Sequence, residues 1–463
     1  MRPLPFASTA DRLLRPLRSF HPAAMPALAR RNYRLELTTS FFMPFMLTGV
    51  ETGVAAVTVK NAWEGVVEPG RLDVVVGIVG AAKAFANIAS FIWVRLGHAR
   101  DKVRFTLGLQ WLMLVLILGV ALMPRTEWGL WGFAIIVVLS RVVWAGYLTF
   151  RSTMWRANYA RNIRGRVTGK FTTVQVVQIG ILGIGFGAAM DASDQAFRVL
   201  IPLGCALSLL GMRSWSRLRV RGHKQLLAQE AAQVGFDRPS FNPATLWSVL
   251  ARDPLYRRYM VAMFLLGTGN LMVPPLLAII VRERFDMAYL EGILITGSIP
   301  MLVMPLAIPI WASYLDRTHV ARFRIIHCWV FLASHASLLV ALLTGQAAWL
   351  YIASVILGVA FGGGALAWNL GHLDFAPPER ASQYMGVHVT LTGVRGLIAP
   401  FVGIAAYRAL ESAGHSGAWV FAGSVGLCLI AAWAFVATAR AVGAEGVARA
   451  EPVETTPPSK TGV

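Results

Sequence analysis

The chain has 463 residues, 56% of them hydrophobic and only 14% charged, a balance that excludes an ordinary soluble domain of this length and makes the bilayer the expected solvent. Its formal net charge is +20, but the cations alternate loop by loop instead of gathering on one polar domain, which excludes a nucleic-acid partner. Cys205, Cys328 and Cys428 each fall inside an apolar stretch, so neither a disulfide framework nor a metal centre is expected, and no cofactor.

Residues 1–34 form a basic tail in which Arg2, Arg12, Arg15, Arg18, Arg30, Arg31 and Arg34 face one acid, Asp11. This composition suits a cytoplasmic flank and also a mitochondrial targeting segment, and Met25 is a second candidate start. About 20 mainly apolar residues cross a hydrocarbon core of roughly 30 Å as a helix. Twelve stretches meet that requirement. The first six cover 35–59, 72–95, 104–123, 127–150, 167–190 and 196–215, a bundle over residues 35–216. After a polar linker at 217–257, whose amphipathic stretch His223 to Val234 suits a membrane surface, six more cover 258–281, 288–312, 323–344, 347–368, 384–408 and 416–438. These make a second bundle over residues 258–440. Residues 441–463, with Pro452, Pro457 and Pro458, read as a disordered tail.

Loop charges set the expected orientation. The second–third connection carries Arg95, Arg100, Lys102 and Arg104, and the fourth–fifth carries Arg151, Arg156, Arg161, Arg164, Arg166 and Lys170. On the opposite side Lys60, Arg71, Arg125, Arg198, Arg282 and Arg284 are sparse and mostly accompanied by acids such as Glu64, Glu68, Asp191 and Asp194. The positive-inside rule therefore predicts cytoplasmic termini in a multi-pass protein of the cell membrane.

The halves repeat. Gly97, Asp101, Lys102 and Arg104 in the second–third connection correspond to Ala312, Asp316 and Arg317 in the eighth–ninth, and the interval from Asp101 to Gly169 nearly equals that from Asp316 to Gly386. Gly97, Asp101 and Lys102 resemble the Gly-x-x-x-Asp-(Arg/Lys) hallmark of the major facilitator superfamily, though Arg104 and Phe105 depart from its end and Ala312 replaces the glycine in the second copy. The resemblance covers residues 30–440. It implies an all-α fold of twelve transmembrane helices in two parallel six-helix repeats, a solute cavity between them, and a cytoplasmic gate at Gly97, Asp101, Lys102, Arg104, Asp316 and Arg317. Independently, Asp101 stands where a carboxylate favours the start of the third helix, and Gly97 permits close backbone approach.

Ionisable groups deep in a span each cost roughly 2.5–3.5 kcal/mol unless they face water or a partner. Glu51, Lys83, Arg141 and Arg395 are such groups and are expected to face the interior. Lys83 shares a small and polar stripe with Gly80, Asn87 and Ser90, and Glu51 lies among Thr48, Thr52, Ala55 and Thr58; their depths permit contact. Gln175 and Gln178 in the fifth span and Asn270 in the seventh complete the expected solute cavity. Three cations against one anion favour an anionic or carboxylate-bearing solute, with Arg141 or Arg395 as a forked partner. The contrary reading pairs Glu51 with Lys83 or Arg141 as a structural lock. Glu51 is also the candidate proton-coupling group.

Pro274 and Pro275 in the seventh span, with Pro300, Pro305 and Pro309 in the eighth, suggest bent helices. His335 is expected to be a core histidine, and Asn369, His372 and Asp374 to serve loop hydrogen bonding. No Walker phosphate loop is present. A secondary transporter of a small solute is thus the leading expectation. An efflux antiporter of lipophilic compounds is its nearest competitor: Arg141 with Trp144, Ala145 and Gly146 partly resembles the helix-four arginine motif of the superfamily's drug–proton antiporters, but Gly180, Gly183, Gly185 and Gly187 lack the proline of their helix-five motif. A membrane-embedded enzyme using His372, Asp374 and Glu379, or a transporter-like receptor or scaffold, is the other class.

Overall fold

The computed structural model describes residues 18–232, 243–377 and 380–450. Most of the basic tail, with Arg2, Asp11, Arg12 and Arg15, lies outside the described residues, as do Val234 in the linker, Glu379, and Pro452, Pro457 and Pro458.

Regular structure in the described residues is helical, and twelve spans are long and apolar enough to cross a membrane. The first half runs Ala27–Ala62, Pro69–Leu96, Lys102–Ala121, Glu127–Asn158, Arg161–Ala192 and Phe197–Trp215. After the linker helices His223–Ala232 and Pro243–Arg252, the second half runs Pro254–Glu283, Tyr289–Leu315, Val320–Thr344, Ala348–Leu370, Ala381–Ser412 and Trp419–Ala450. Local chemistry fixes the starts. Thr126 Oγ1 accepts from Gly129 N at 3.3 Å and Asp253 Oδ1 from Tyr256 N at 2.8 Å, each satisfying an amide that has no partner in the first helical turn.

Three boundaries differ from expectation in ways that affect the interior. The fourth helix continues to Asn158, so Arg151 and Arg156 belong to a helix and not to a loop. The last helix continues to Ala450, past the expected end at 438. The first span is interrupted: Ala27–Leu47 passes into a 3₁₀ turn at Thr48–Val50, Glu51 is extended, with φ −67° and ψ 138°, and Thr52–Ala62 begins a new helix. In the eighth span Leu294–Ser298 is one wide π turn just ahead of Pro300.

The halves meet where the second span packs on the eleventh, the fifth on the eighth, and the first on the seventh. Glycines bring these backbones together. A Cβ on Gly187 would stand 2.7 Å from Leu290 Cα, and one on Gly53 2.7 Å from the Thr296 carbonyl oxygen. Gly180, Gly183 and Gly187 of the fifth span thus serve close contact between halves, which needs no proline. The linker and the 2–3 and 4–5 connections share one face of the bundle, the terminal face, and the opposite end is the distal face.

Candidate functional site

The break in the first span builds the central site. A helix that stops at Val50 leaves carbonyls without their usual amide partners, and inside a bilayer these need another donor. Arg141, from the fourth span, supplies it: Nε and Nη2 donate to the Val50 carbonyl at 3.1 and 2.6 Å, while Nη2 also reaches Glu51 Oε2 at 2.8 Å. Lys83, from the second span, donates to Glu51 Oε1 at 2.6 Å. One carboxylate therefore joins three spans. Its side chain and that of Arg141 are only 8% and 4% exposed, whereas Lys83 is 55% exposed. The lysine is the member of the cluster that solvent reaches.

The other expected cavity residues scatter around this centre. Gln175 Oε1 accepts from Arg151 Nη1 at 3.5 Å, and Gln178 is half-buried on the same helix. Asn87, half-buried one turn beyond Lys83, also has an interaction partner. Asn270 turns into the second bundle, where its Oδ1 is 3.9 Å from Cys428 Sγ. Arg395 does not join Glu51, Lys83 and Arg141: it is buried between the seventh and eleventh spans, donating to the Met263 carbonyl and to Thr392 Oγ1. Gly267 makes room for it, since a Cβ there would collide with the guanidinium group.

Sequence reasoning missed a second buried pair. Glu36, fully buried, sits 3.7 Å from Arg151 Nε and accepts from Trp155 Nε1 at 2.5 Å and Tyr159 OH at 3.1 Å. Arg151 also donates to Ser40 Oγ at 2.7 Å and lies over the Trp155 ring. Burial, reinforced by the Glu36 carboxylate, holds the Tyr159 phenol far above its usual range, so it remains a donor. Glu36 and Arg151 stood at the expected ends of their spans, where a charge reads as a flank.

At the terminal face, Asp101 caps the third helix as expected, accepting from Val103 N at 2.9 Å and Arg104 N at 3.0 Å. Gly97 is required there, because a Cβ would strike the Phe150 ring. The cations of this loop divide between solvent and the linker. Arg104 is 89% exposed and only grazes Asp101 at 4.0 Å, and Lys102 is buried, donating to the Gly97 carbonyl at 2.8 Å and to Glu230 at 2.5 Å. Glu230 also accepts from Ala99 N at 2.8 Å. The linker helix His223–Ala232 is therefore docked on this loop. In the repeat, Asp316 ends the eighth helix, and the start of the ninth is served by His319 Nδ1 and by Asp374, which accepts from Val320 N at 2.7 Å. Asp374 and Asn369 thus make local hydrogen bonds, and His335 is a buried partner of Ser424 at 2.8 Å.

Polar contacts joining the halves gather at the distal face, where Lys60, Glu64, Asp191 and Arg282 were expected only to mark topology. Lys60 is paired with Asp73 at 3.3 Å and with Glu283 of the other half; Arg408 reaches back to Asp73 at 2.6 Å and to Glu283 at 2.6 Å. Arg282 binds Glu64 at 2.6 Å, and Asp191 accepts from Tyr289 N at 2.7 Å. Lys60 and Asp73 are almost fully buried, so this end is sealed.

The sequence profile of the Major Facilitator Superfamily matches residues 37–400, and the chain belongs to that superfamily. It is a multi-pass membrane transporter. Solved structures with the same fold include the nucleoside transporter NupG (15% identity, 88% of this chain and 99% of that one, TM-score 0.59). A POT family transporter in complex with 5-aminolevulinic acid is also similar (14%, 89% and 96%, 0.64). So is the xylose transporter XylE from E. coli in a partially occluded inward open conformation (12%, 88% and 97%, 0.60). No curated protein sequence matches the chain.

Proposed function

We propose that this transporter is a secondary carrier of a small carboxylate-bearing solute, coupled to protons through Glu51, with its terminal face in the cytoplasm of a cell membrane and the distal face outside. The orientation rests on the basic 2–3 and 4–5 connections. With the distal face sealed by ion pairs, the conformation is the one that receives or releases solute on the cytoplasmic side.

The observation that carries the reading is the unequal exposure of one three-membered cluster. Glu51, Lys83 and Arg141 together have one cation in excess, and the exposed member is Lys83. A solute carboxylate entering the cavity competes with Glu51 for that ammonium. Glu51 then keeps Arg141 and has one partner fewer, and a proton is the available substitute. Solute anion and proton cross together, and return of the empty site requires Glu51 to recover Lys83. In this reading the half-buried polar groups Asn87, Gln175 and Gln178 hold the rest of the solute. Arg141 is the structural member, since it also completes the broken helix.

Reconstitution into liposomes tests this directly. A screen of labelled carboxylates against neutral sugars and nucleosides should give accumulation of a carboxylate under an inward proton gradient. Glu51→Gln should abolish gradient-driven accumulation and leave solute exchange. Lys83→Gln should raise KM for the solute at least about tenfold, the loss of one charge-assisted hydrogen bond. Gradient-driven uptake that survives Glu51→Gln rejects the coupling role, and a neutral solute transported equally well by Lys83→Gln rejects the carboxylate. Lipophile efflux has no specific support in this geometry.

A further inference from the structure

The second bundle contains a buried cluster that the central site does not use. Near the terminal face, Tyr259 of the seventh span, Arg324 and His327 of the ninth, and His388 and Arg395 of the eleventh are all between 0% and 5% exposed. They lie within electrostatic reach of one another: Arg324 acts on Tyr259, His388 and Arg395, and Arg395 acts on Tyr259 and His388.

The polar groups of this cluster are poorly satisfied. His388 has a partner on neither ring nitrogen, Arg324 Nε and Arg395 Nε have none either, and Tyr259 OH lies beside Arg324. His327 does not relieve them. Its Nε2 donates to the Ala360 carbonyl at 2.8 Å, so its Nδ1 is the acceptor for Arg324 Nη1 at 3.1 Å and the ring is neutral.

Nor is there a carboxylate to balance two guanidinium ions among the described residues. Asp374 acts on Tyr259 but is exposed and committed to Val320 N. Asp253, at the start of the seventh span, is committed to Tyr256 N and Tyr384 OH. His372, from the tenth span, adds another unpartnered nitrogen, and the twelfth contributes Phe435 and Cys428. The first bundle, by contrast, neutralises its buried Arg151 with Glu36. Two buried guanidinium ions without a counter-charge cost several kcal/mol each.

We propose that Tyr259, Arg324, His388 and Arg395 bind one small inorganic anion of halide size inside the second bundle, taking the place that Glu36 fills in the first. Guanidinium, phenol and imidazole N–H or O–H groups are all donors, which is what an anion requires. The size follows from enclosure: these side chains are almost completely buried and Trp368 rests edge-on against His388 at 5.6 Å. The anion is a resident ion and not the transported solute.

The test uses the purified full-length protein in detergent, in gluconate buffer free of halide. Chloride should raise the unfolding temperature saturably at constant ionic strength, and the chloride-35 NMR line should broaden and be narrowed again by bromide. Arg324→Gln should weaken chloride binding at least about tenfold. Lys83→Gln, which removes the exposed cation of the central site, should keep the chloride response. Should Arg324→Gln fail to fold, the NMR titration of the wild-type protein decides. A chloride effect no larger than that of gluconate or sulfate overturns the site. So does a response that persists in Arg324→Gln or disappears in Lys83→Gln, because the anion would then lie elsewhere. Since the readout is binding and stability, this site stands or falls independently of transport.

Discussion

Arg141 does two things that a lysine cannot do together. Its fork spans the Val50 carbonyl and the Glu51 carboxylate, and a point charge on a flexible stem would hold only one of them. Arg141→Gln should therefore destabilise the protein by about 3–5 kcal/mol, because it leaves a buried carbonyl and a half-paired carboxylate. Thermal unfolding in detergent measures this, and an unchanged midpoint would show that water replaces the guanidinium without cost. Glu36→Gln is expected to destabilise as well, by stranding Arg151, without touching the central pair. The contact of Glu51 with Lys83 was legible in the sequence because the two lie at similar depth on polar stripes. Glu36, Arg151 and Arg324 were not, because each stands within a turn or so of an expected span end, where apolar windows cannot tell a buried charge from a flanking one.

Among the helices, the spans themselves are legible because the bilayer demands long apolar runs, and nothing else in the chain competes with that signal. The interruption of the first span is not, since hydropathy averages over it, although Thr48-Gly49 and Thr52-Gly53 on either side of Glu51 are poor helix formers and mark the place in retrospect. The glycine ridge of the fifth span makes a sharper claim. Gly187→Val puts a branched side chain where a Cβ alone would come within 2.7 Å of Leu290, so the distal contact of the fifth and eighth spans has to open. Spin labels at Val66 and Asp286, exposed on opposite halves, should report a longer distal separation in this variant. An unaltered distance distribution would mean that the eighth span yields locally.

At the scale of the whole molecule, the distal face is closed by charge and the terminal loop is held by the linker. Arg408→Gln removes contacts to both Asp73 and Glu283 and leaves Lys60, with the Arg282–Glu64 and Asp191–Tyr289 contacts, to hold the halves. The same pair of spin labels should then show a larger population with the distal face open, while raising salt should have little effect on the wild-type lock because Lys60 and Asp73 are buried. Sequence pattern had assigned Lys60 to topology alone and had not singled out Asp73, Glu283 or Arg408. Their role depends on the two halves meeting, which no single segment records.

The gap at Glu51 has a mechanical side. A continuous rod through the bilayer tilts as one piece, so motion at one mouth is transmitted to the other. Here the short rod Thr52–Ala62 is seated against the eighth span through Gly53 and Thr296, while the long rod Ala27–Leu47 stays with its own bundle, against the fifth and sixth spans. The short rod also packs on the second span of its own bundle, so it touches both halves at once. The carboxylate at that joint is placed to register which of the two rods has shifted.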